Sequence, residues 1–268
     1  MNRNTRESQT PLPTIIRALR SARREKAPAS LLPAVLRRTG LSDVYWTIDS
    51  PIGPVFVAHT RGGISKIARA KSPAAFAREY ERERGRAIRP AASRPPAAVR
   101  SLIGSVKRGD RAKLRFDLSG LSEFERAVLL KALEIPTGEV RPYSWIAREI
   151  GRPEAVRATG SALAKNPVPL LIPCHRVVRS DGRLGQYSLG GPRVKRALLD
   201  IEGARPETLE KLASSGVRYL GSERGRYYCF PTCGGIDSLL RSNRVAFASG
   251  REAEAAGYRP CEACRPAA

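Results

Sequence analysis

From residue 43 the chain alternates between two hydrophobic rhythms. Val44-Tyr45-Trp46-Thr47-Ile48 and Val55-Phe56-Val57-Ala58 are β-branched and aromatic runs on either side of Ser50-Pro51-Ile52-Gly53-Pro54, a pattern that predicts a β-hairpin. Ile64-Ser65-Lys66-Ile67-Ala68 predicts a third strand. Over 72–84 the period lengthens to that of a helix, with Phe76 and Tyr80 four residues apart. A Pro/Ala/Arg-rich loop is expected over 86–96, then a helix up to Val106 and a strand over 113–118 that closes the sheet. His59 stands alone in this half and is expected at the surface or in packing.

The second half reads as mostly helical. Ser122 followed by Glu125 is a capping-box signature, and the helix it opens runs through Val128, Leu130 and Leu133 until Pro136 stops it. Two short helices, 143–150 and 154–165, flank Gly151-Arg152-Pro153, the spacing of a helix-turn-helix, although many helical hairpins share it. One face of the second helix carries Arg157, Ala158, Gly160, Ser161 and Ala162. Small residues admit close approach, either to a nucleic-acid groove or to another helix. A glycine-rich loop over 178–191 leads into an amphipathic helix over 192–200 that ends at Ile201-Glu202-Gly203.

Composition changes this picture in two ways. The 268 residues hold 48 Lys plus Arg against 25 Asp plus Glu, a net charge of +23 that points to a polyanionic partner, nucleic acid being the commonest. Residues 1–42 concentrate that charge in Arg3, Arg6, Arg17, Arg20, Arg23, Arg24, Lys26, Arg37 and Arg38, and are expected to form a basic, partly disordered arm with short helices at 14–23 and 30–38. No apolar run approaches the roughly 20 residues of a spanning helix, and residues 1–40 show no apolar signal region, so neither a membrane partner nor secretion is expected. Cysteine is the second change. An odd count of five argues against a simple disulfide framework; four lie in two close pairs and Cys174 stands apart, as one metal site and one reactive thiol would require. Such usage fits a reducing compartment, and a cytoplasmic, nucleoid-associated protein is expected.

Cys174 lies in Ile172-Pro173-Cys174-His175-Arg176-Val177, behind the proline-stiffened Asn166-Pro167-Val168-Pro169-Leu170-Leu171. The attacking form of cysteine is the thiolate, a free thiol has a pKa of about 8.5, and histidine is the usual base. A Cys beside a His is common by chance. Joined to Gly185, Tyr187-Ser188, Lys195, Leu198-Leu199 and Glu202-Gly203, and upstream to Ile135-Pro136-Thr137-Gly138-Glu139-Val140 and Tyr143-Ser144-Trp145-Ile146-Ala147, the stretch closely resembles the O6-alkylguanine-DNA alkyltransferases. The likeness covers residues 43–203 and is strongest from 122 onward.

The resemblance implies an α/β protein: a small mixed α/β, ribonuclease-H-like N-terminal domain over 43–120, and a helical, helix-turn-helix-containing catalytic domain over 121–205. It implies a monomer acting on double-stranded DNA that contains O6-alkylguanine, with no cofactor needed for transfer. Glu202 would orient His175, which would deprotonate Cys174 through a water for in-line attack on the O6-alkyl carbon. Tyr143 would share a proton with the departing guanine, and Asn166 would tie the cysteine loop to the end of the recognition helix. Tyr187 and Ser188 would line the base pocket, with Pro169 and Gly185 shaping it for the alkyl group. A stacked base is out of reach, so the nucleotide must be flipped out. Arg157 matches the family's intercalating arginine, and Ala158, Gly160 and Ser161 then fit a minor groove. The thioether has no chemical exit, so each molecule would act once. Pro142 stands where the family more often has serine, and Arg179, Asp181 and Arg183 make the following loop more polar; neither departure touches the named chemistry.

Cys229-x3-Cys233 and Cys261-x2-Cys264 have the spacing of a tetrahedral zinc site, with two disulfides as the alternative. After a linker over 206–215, residues 216–268 resemble the metal-binding domain of Ada, including Val245-Ala246-Phe247 and Ala255-Ala256-Gly257-Tyr258-Arg259-Pro260-Cys261. That resemblance implies Zn2+ on Cys229, Cys233, Cys261 and Cys264. It also raises a second acceptor, because the first of Ada's four cysteines takes methyl groups from DNA phosphotriesters, a role that would fall to Cys229. Phe230 stands where Ada has arginine and Gly234-Gly235-Ile236-Asp237 where Ada is more basic, which favours a structural, DNA-contacting zinc module. Two rivals stay open: a non-enzymatic alkyl-lesion binder, which Cys174 opposes, and a methylation-sensing regulator, which the absence of Ada's own DNA-reading helices opposes.

Overall fold

The structure, a computed structural model, describes residues 42–97, 99–100 and 114–266, together with positions 31, 35, 36 and 39. The helix predicted over 14–23 lies outside the described residues. Of the stretch 30–38, positions 31, 35 and 36 are helical, and the Thr39 hydroxyl donates to the Val35 carbonyl at 2.9 Å.

Three predicted strands form where the β-branched runs stand. Strands β1 (Ser42–Ile48), β2 (Val55–Thr60) and β3 (Gly63–Ala68) make an antiparallel meander in which Trp46 faces Val57. Helix α1 (Pro73–Arg84), capped by Ser72, lays Phe76 and Tyr80 on the sheet, with Phe76 stacked on Phe56 at 4.9 Å. His59 packs edge-on to Trp46, 5.8 Å between ring centroids. A fourth strand, β4 (Ala87–Pro90), runs parallel to β1 within the segment expected to be loop. Its one buried apolar residue, Ile88, gives no alternation to read, and its proline is tolerated because it lies at the sheet edge. The strand expected over 113–118 reduces, among the described residues, to a bridge between Ile64 and Phe116. That approach depends on Gly63 (φ +127), where a Cβ would stand 2.2 Å from the Arg115 carbonyl oxygen.

The helical half agrees with its sequence pattern in its essentials. Helix α2 (Glu123–Leu133) begins with the Ser122/Glu125 capping box, and helices α3 (Tyr143–Glu149) and α4 (Val156–Ala164) turn about Gly151. Helix α4 starts later than the expected 154. Helix α5 (Gly191–Glu202) buries Lys195, Leu198, Leu199 and Glu202, the one-face spacing of a helix. Two residues of β5 (Arg141–Pro142) pair in parallel with two of β6 (Val177–Val178), holding the start of α3 in register with the segment that follows Cys174.

The C-terminal part has its own small sheet, of strands β7 (Tyr219–Ser222), β8 (Tyr227–Cys229), β9 (Arg244–Phe247) and β10 (Arg259–Pro260) in the order β10-β8-β7-β9. The expected linker over 206–215 is mostly a helix, α6 (Pro206–Ser214), which buries Leu209. Among the described residues no helix is long and apolar enough to cross a membrane.

Candidate active site and metal centre

The approach to Cys174 is rigid. Asn166 closes it: its side-chain amide donates to the Ile172 carbonyl (2.9 Å) and to Cys174 Sγ (3.1 Å), while its oxygen accepts from Val168 N–H (3.0 Å). Leu170 adopts φ 74, a left-handed conformation unusual for a branched residue. Cys174, His175 and Arg176 then form one 3-10 turn, all three buried. Burial raises the Cys174 thiol pKa, while the amide of Asn166 and the ammonium of Lys195 oppose that rise by favouring the thiolate.

Behind the turn, Glu202 in the last turn of α5 serves two partners. Its Oε1 lies 2.9 Å from His175 Nε2, and Arg176 grips both carboxylate oxygens at 2.7 Å. Arg176 also donates to the Ile135 carbonyl (2.7 Å) and Thr137 Oγ1 (2.9 Å), so every nitrogen of this fully buried guanidinium has a partner. Burial alone would raise the Glu202 pKa; the hydrogen bonds and charges of His175 and Arg176 outweigh it and hold the carboxyl at about 2. Sequence reasoning gives no role to Arg176 or Lys195. Lys195 Nζ, fully buried, donates to the carbonyls of Val177 (2.5 Å) and Gln186 (3.3 Å), and burial lowers its pKa to about 8. Both residues stand inside the motif, and a long cation on the apolar face of α5 is the available signal for Lys195.

Cys174 opens onto a cavity of about 190 Å³ lined by Tyr143, Gly160, Leu163, Gln186, Tyr187 and Ser188. Burial, with the Cys174 charge adding to it, raises the Tyr143 pKa, and burial keeps Tyr187 protonated far into the alkaline range. Pro169 lines a neighbouring groove with Asn166 and Ser188, and Gly185 (φ +73) sits where a Cβ would lie 3.7 Å from the Tyr143 hydroxyl. On α4, Arg157, Ala158 and Ser161 are exposed and Gly160 is half-buried, whereas Thr159, Ala162 and Leu163 face inward. The expected face is therefore divided: Arg157, Ala158 and Ser161 lie outside, Gly160 borders the cavity, and Ala162 packs inward.

The four C-terminal cysteines converge. Their sulfurs all lie within 4.8 Å of one another, three of the residues buried and Cys261 half-buried, and none is in a disulfide. Hydrogen bonds to Cys233 and Cys264, then burial, drive the Cys229 thiol above its usual pKa, while Cys233, accepting from Cys229 and Cys264, is pushed below it. Four sulfurs this close resist common ionisation unless a cation lies among them, and an all-sulfur tetrahedral donor set suits zinc.

The chain is similar to known proteins over both parts. Residues 123–204 match the family described as 6-O-methylguanine DNA methyltransferase, DNA binding domain, and residues 212–267 match the metal binding domain of Ada. A methylated-DNA–protein-cysteine methyltransferase of Methanothermobacter thermautotrophicus is 41 % identical over 121 residues, 43 % of this chain and 67 % of that one. The protein of the same name from Mycobacterium tuberculosis is 35 % identical over 166 residues, 60 % of this chain and 93 % of its own length. The chain belongs to the methylated-DNA–protein-cysteine methyltransferases. The crystal structure of the M. tuberculosis O6-methylguanine methyltransferase superposes with a TM-score of 0.47 at 32 % identity, covering 61 % of this chain and 94 % of that one.

In this methyltransferase the metal-binding part touches the catalytic part directly. Thr232 Oγ1 accepts from Val140 N–H at 2.9 Å, and Glu139 Oε1 accepts from Gly234 N–H at 3.1 Å. Arg265, next to Cys264, pairs with Glu149 at 2.6 Å, and its carbonyl accepts from Arg148.

Proposed function

We propose that this methyltransferase repairs double-stranded DNA by taking the alkyl group of a flipped O6-alkylguanine onto Cys174. The observation that carries this assignment is the union, at one buried turn, of a thiol held by Asn166, a His175–Glu202 pair, and a cavity edged by Tyr143 and the α4 face. His175, steadied by Glu202, accepts the thiol proton through a water. The thiolate forms the S–C bond as the C–O6 bond breaks, and the electron pair passes into the guanine ring, where Tyr143, held protonated at neutral pH, supplies a proton. The thioether persists, so turnover is single.

The assignment extends to the arrangement of parts: a ribonuclease-H-like domain over 43–120, a helix-turn-helix catalytic domain over 121–205 and a zinc module over 216–268. Flipping costs about a few kcal/mol, and Arg157 on the exposed face of α4 fills the vacated stack while Ala158, Gly160 and Ser161 let the helix approach the minor groove. The zinc is structural, held by Cys229, Cys233, Cys261 and Cys264. Cys229 is fully buried, which disfavours its reaching a backbone phosphotriester. Intact-mass and peptide analysis after incubation with DNA carrying both lesions tests this reading: one alkyl group on Cys174 is expected, and Cys174→Ala is expected to bind lesion DNA without transfer. Transfer by that variant would refute the acceptor assignment, and alkyl on Cys229 would establish a second acceptor.

A further inference from the structure

Arg141 is buried at the seam between the catalytic part and the cysteine cluster, its side chain 3 % exposed. Its guanidinium donates to the Val140 carbonyl (2.8 Å) and to Glu139, and lies 5.8 Å from the Trp145 ring centroid and 5.3 Å from that of Phe230. One ring belongs to α3 and the other follows Cys229 directly. Glu139, the carboxylate paired with it, spends its other oxygen on the N–H of Gly234, the residue after Cys233. A buried cation needs compensation. Glu139 supplies it for Arg141, and through Gly234 the pair is joined to the cysteine-bearing turn. A second cation repeats the arrangement: Arg265, beside Cys264, stands 5.8 Å from the same Trp145 ring.

We propose that Arg141, with its partner Glu139, is a positioning residue that ties the turn between Cys229 and Gly234 to the catalytic part, so that metal occupancy sets the placement of α3 with Tyr143 and Trp145. The inference rests on the zinc reading of the four cysteines. When the metal leaves, the four cysteines lose the ion that draws them together. The turn of Phe230 to Gly234 loses its anchor, and with it go the Thr232 bond to Val140 and the Gly234 bond to Glu139. Tyr143 lies two residues beyond Arg141, so the loss reaches the cavity at Cys174 without passing through the core.

The test uses the full chain, with zinc content measured first. Removal of zinc by a chelator is expected to speed amide hydrogen exchange over 139–150 while 123–133 stays protected. It is also expected to slow alkyl transfer at saturating DNA about tenfold or more, as a small misplacement of a reacting group does. Arg141→Met is expected to weaken zinc binding about 10-fold, and Arg141→Lys, which keeps a cation beside Glu139, to restore part of it. Zinc loss that leaves both exchange over 139–150 and the saturated rate unchanged would overturn the coupling, as would unaltered zinc affinity in Arg141→Met. A chain that binds no zinc would overturn the metal reading itself, a failure distinct from the other two.

Discussion

Glu202 is one carboxylate asked to hold a histidine and an arginine at once, and both consequences can be measured. Replacing it by glutamine leaves the Arg176 guanidinium buried without its counter-ion, a change that costs about 3–5 kcal/mol in such settings. The same change takes from His175 the group that fixes its orientation and charge, so alkyl transfer by Glu202→Gln is expected to slow about 10²-fold in single-turnover assays. The pH dependence follows from the depressed carboxyl. Its pKa falls from 4.5 to about 2 on folding, so its contribution to stability is complete above 4.5 and is lost as pH drops toward 2. Thermal melts across that window should show wild type losing its margin over Glu202→Gln. The motif makes Cys174, His175 and Glu202 legible in the sequence. Arg176 and Lys195 are not, because their roles depend on which backbone carbonyls a fold brings to a buried cation, and single positions do not record that.

At the scale of elements, α4 is ambiguous in sequence because small residues serve a groove and a helix interface equally well. Packing divides them: Ala162 joins Leu163 and Thr159 on the inner face, Gly160 is half-buried, and Arg157, Ala158 and Ser161 are left outside. Arg157→Ala is therefore expected to slow repair of an alkylated duplex about tenfold while leaving transfer from the free alkylated base nearly unchanged, since only the duplex must be opened. Equal losses on both substrates would place Arg157 in the pocket chemistry instead. Capping chemistry and helical period make α2 and α5 readable to within a few residues. Strand β4 and helix α6 escape such a reading for local reasons: β4 offers one buried residue in a run of arginine and proline, and α6 sits where the change of character between two parts looks like a linker.

For the whole molecule, charge sets the expectation. With a net charge of +23, phosphate neutralisation is expected to contribute strongly to DNA affinity, and log K should fall linearly with log salt, with a slope near 0.9 per phosphate contacted. A complex insensitive to salt would contradict that. The two parts of the chain are each legible as motifs, the cysteine loop and the paired cysteines; their contact is not, since Arg141, Glu139 and Arg265 have no signature apart from the surfaces they join.

That seam gives the protein an optical property. The chain has two tryptophans: Trp46 is held by the Ser93 carbonyl in the N-terminal sheet, and Trp145 has two guanidinium groups 5.8 Å from its ring at the seam with the cysteine cluster. An indole's emission shifts with the charges and water around it, so with Trp46 replaced by phenylalanine the remaining fluorophore reports the state of the seam in real time, without a label.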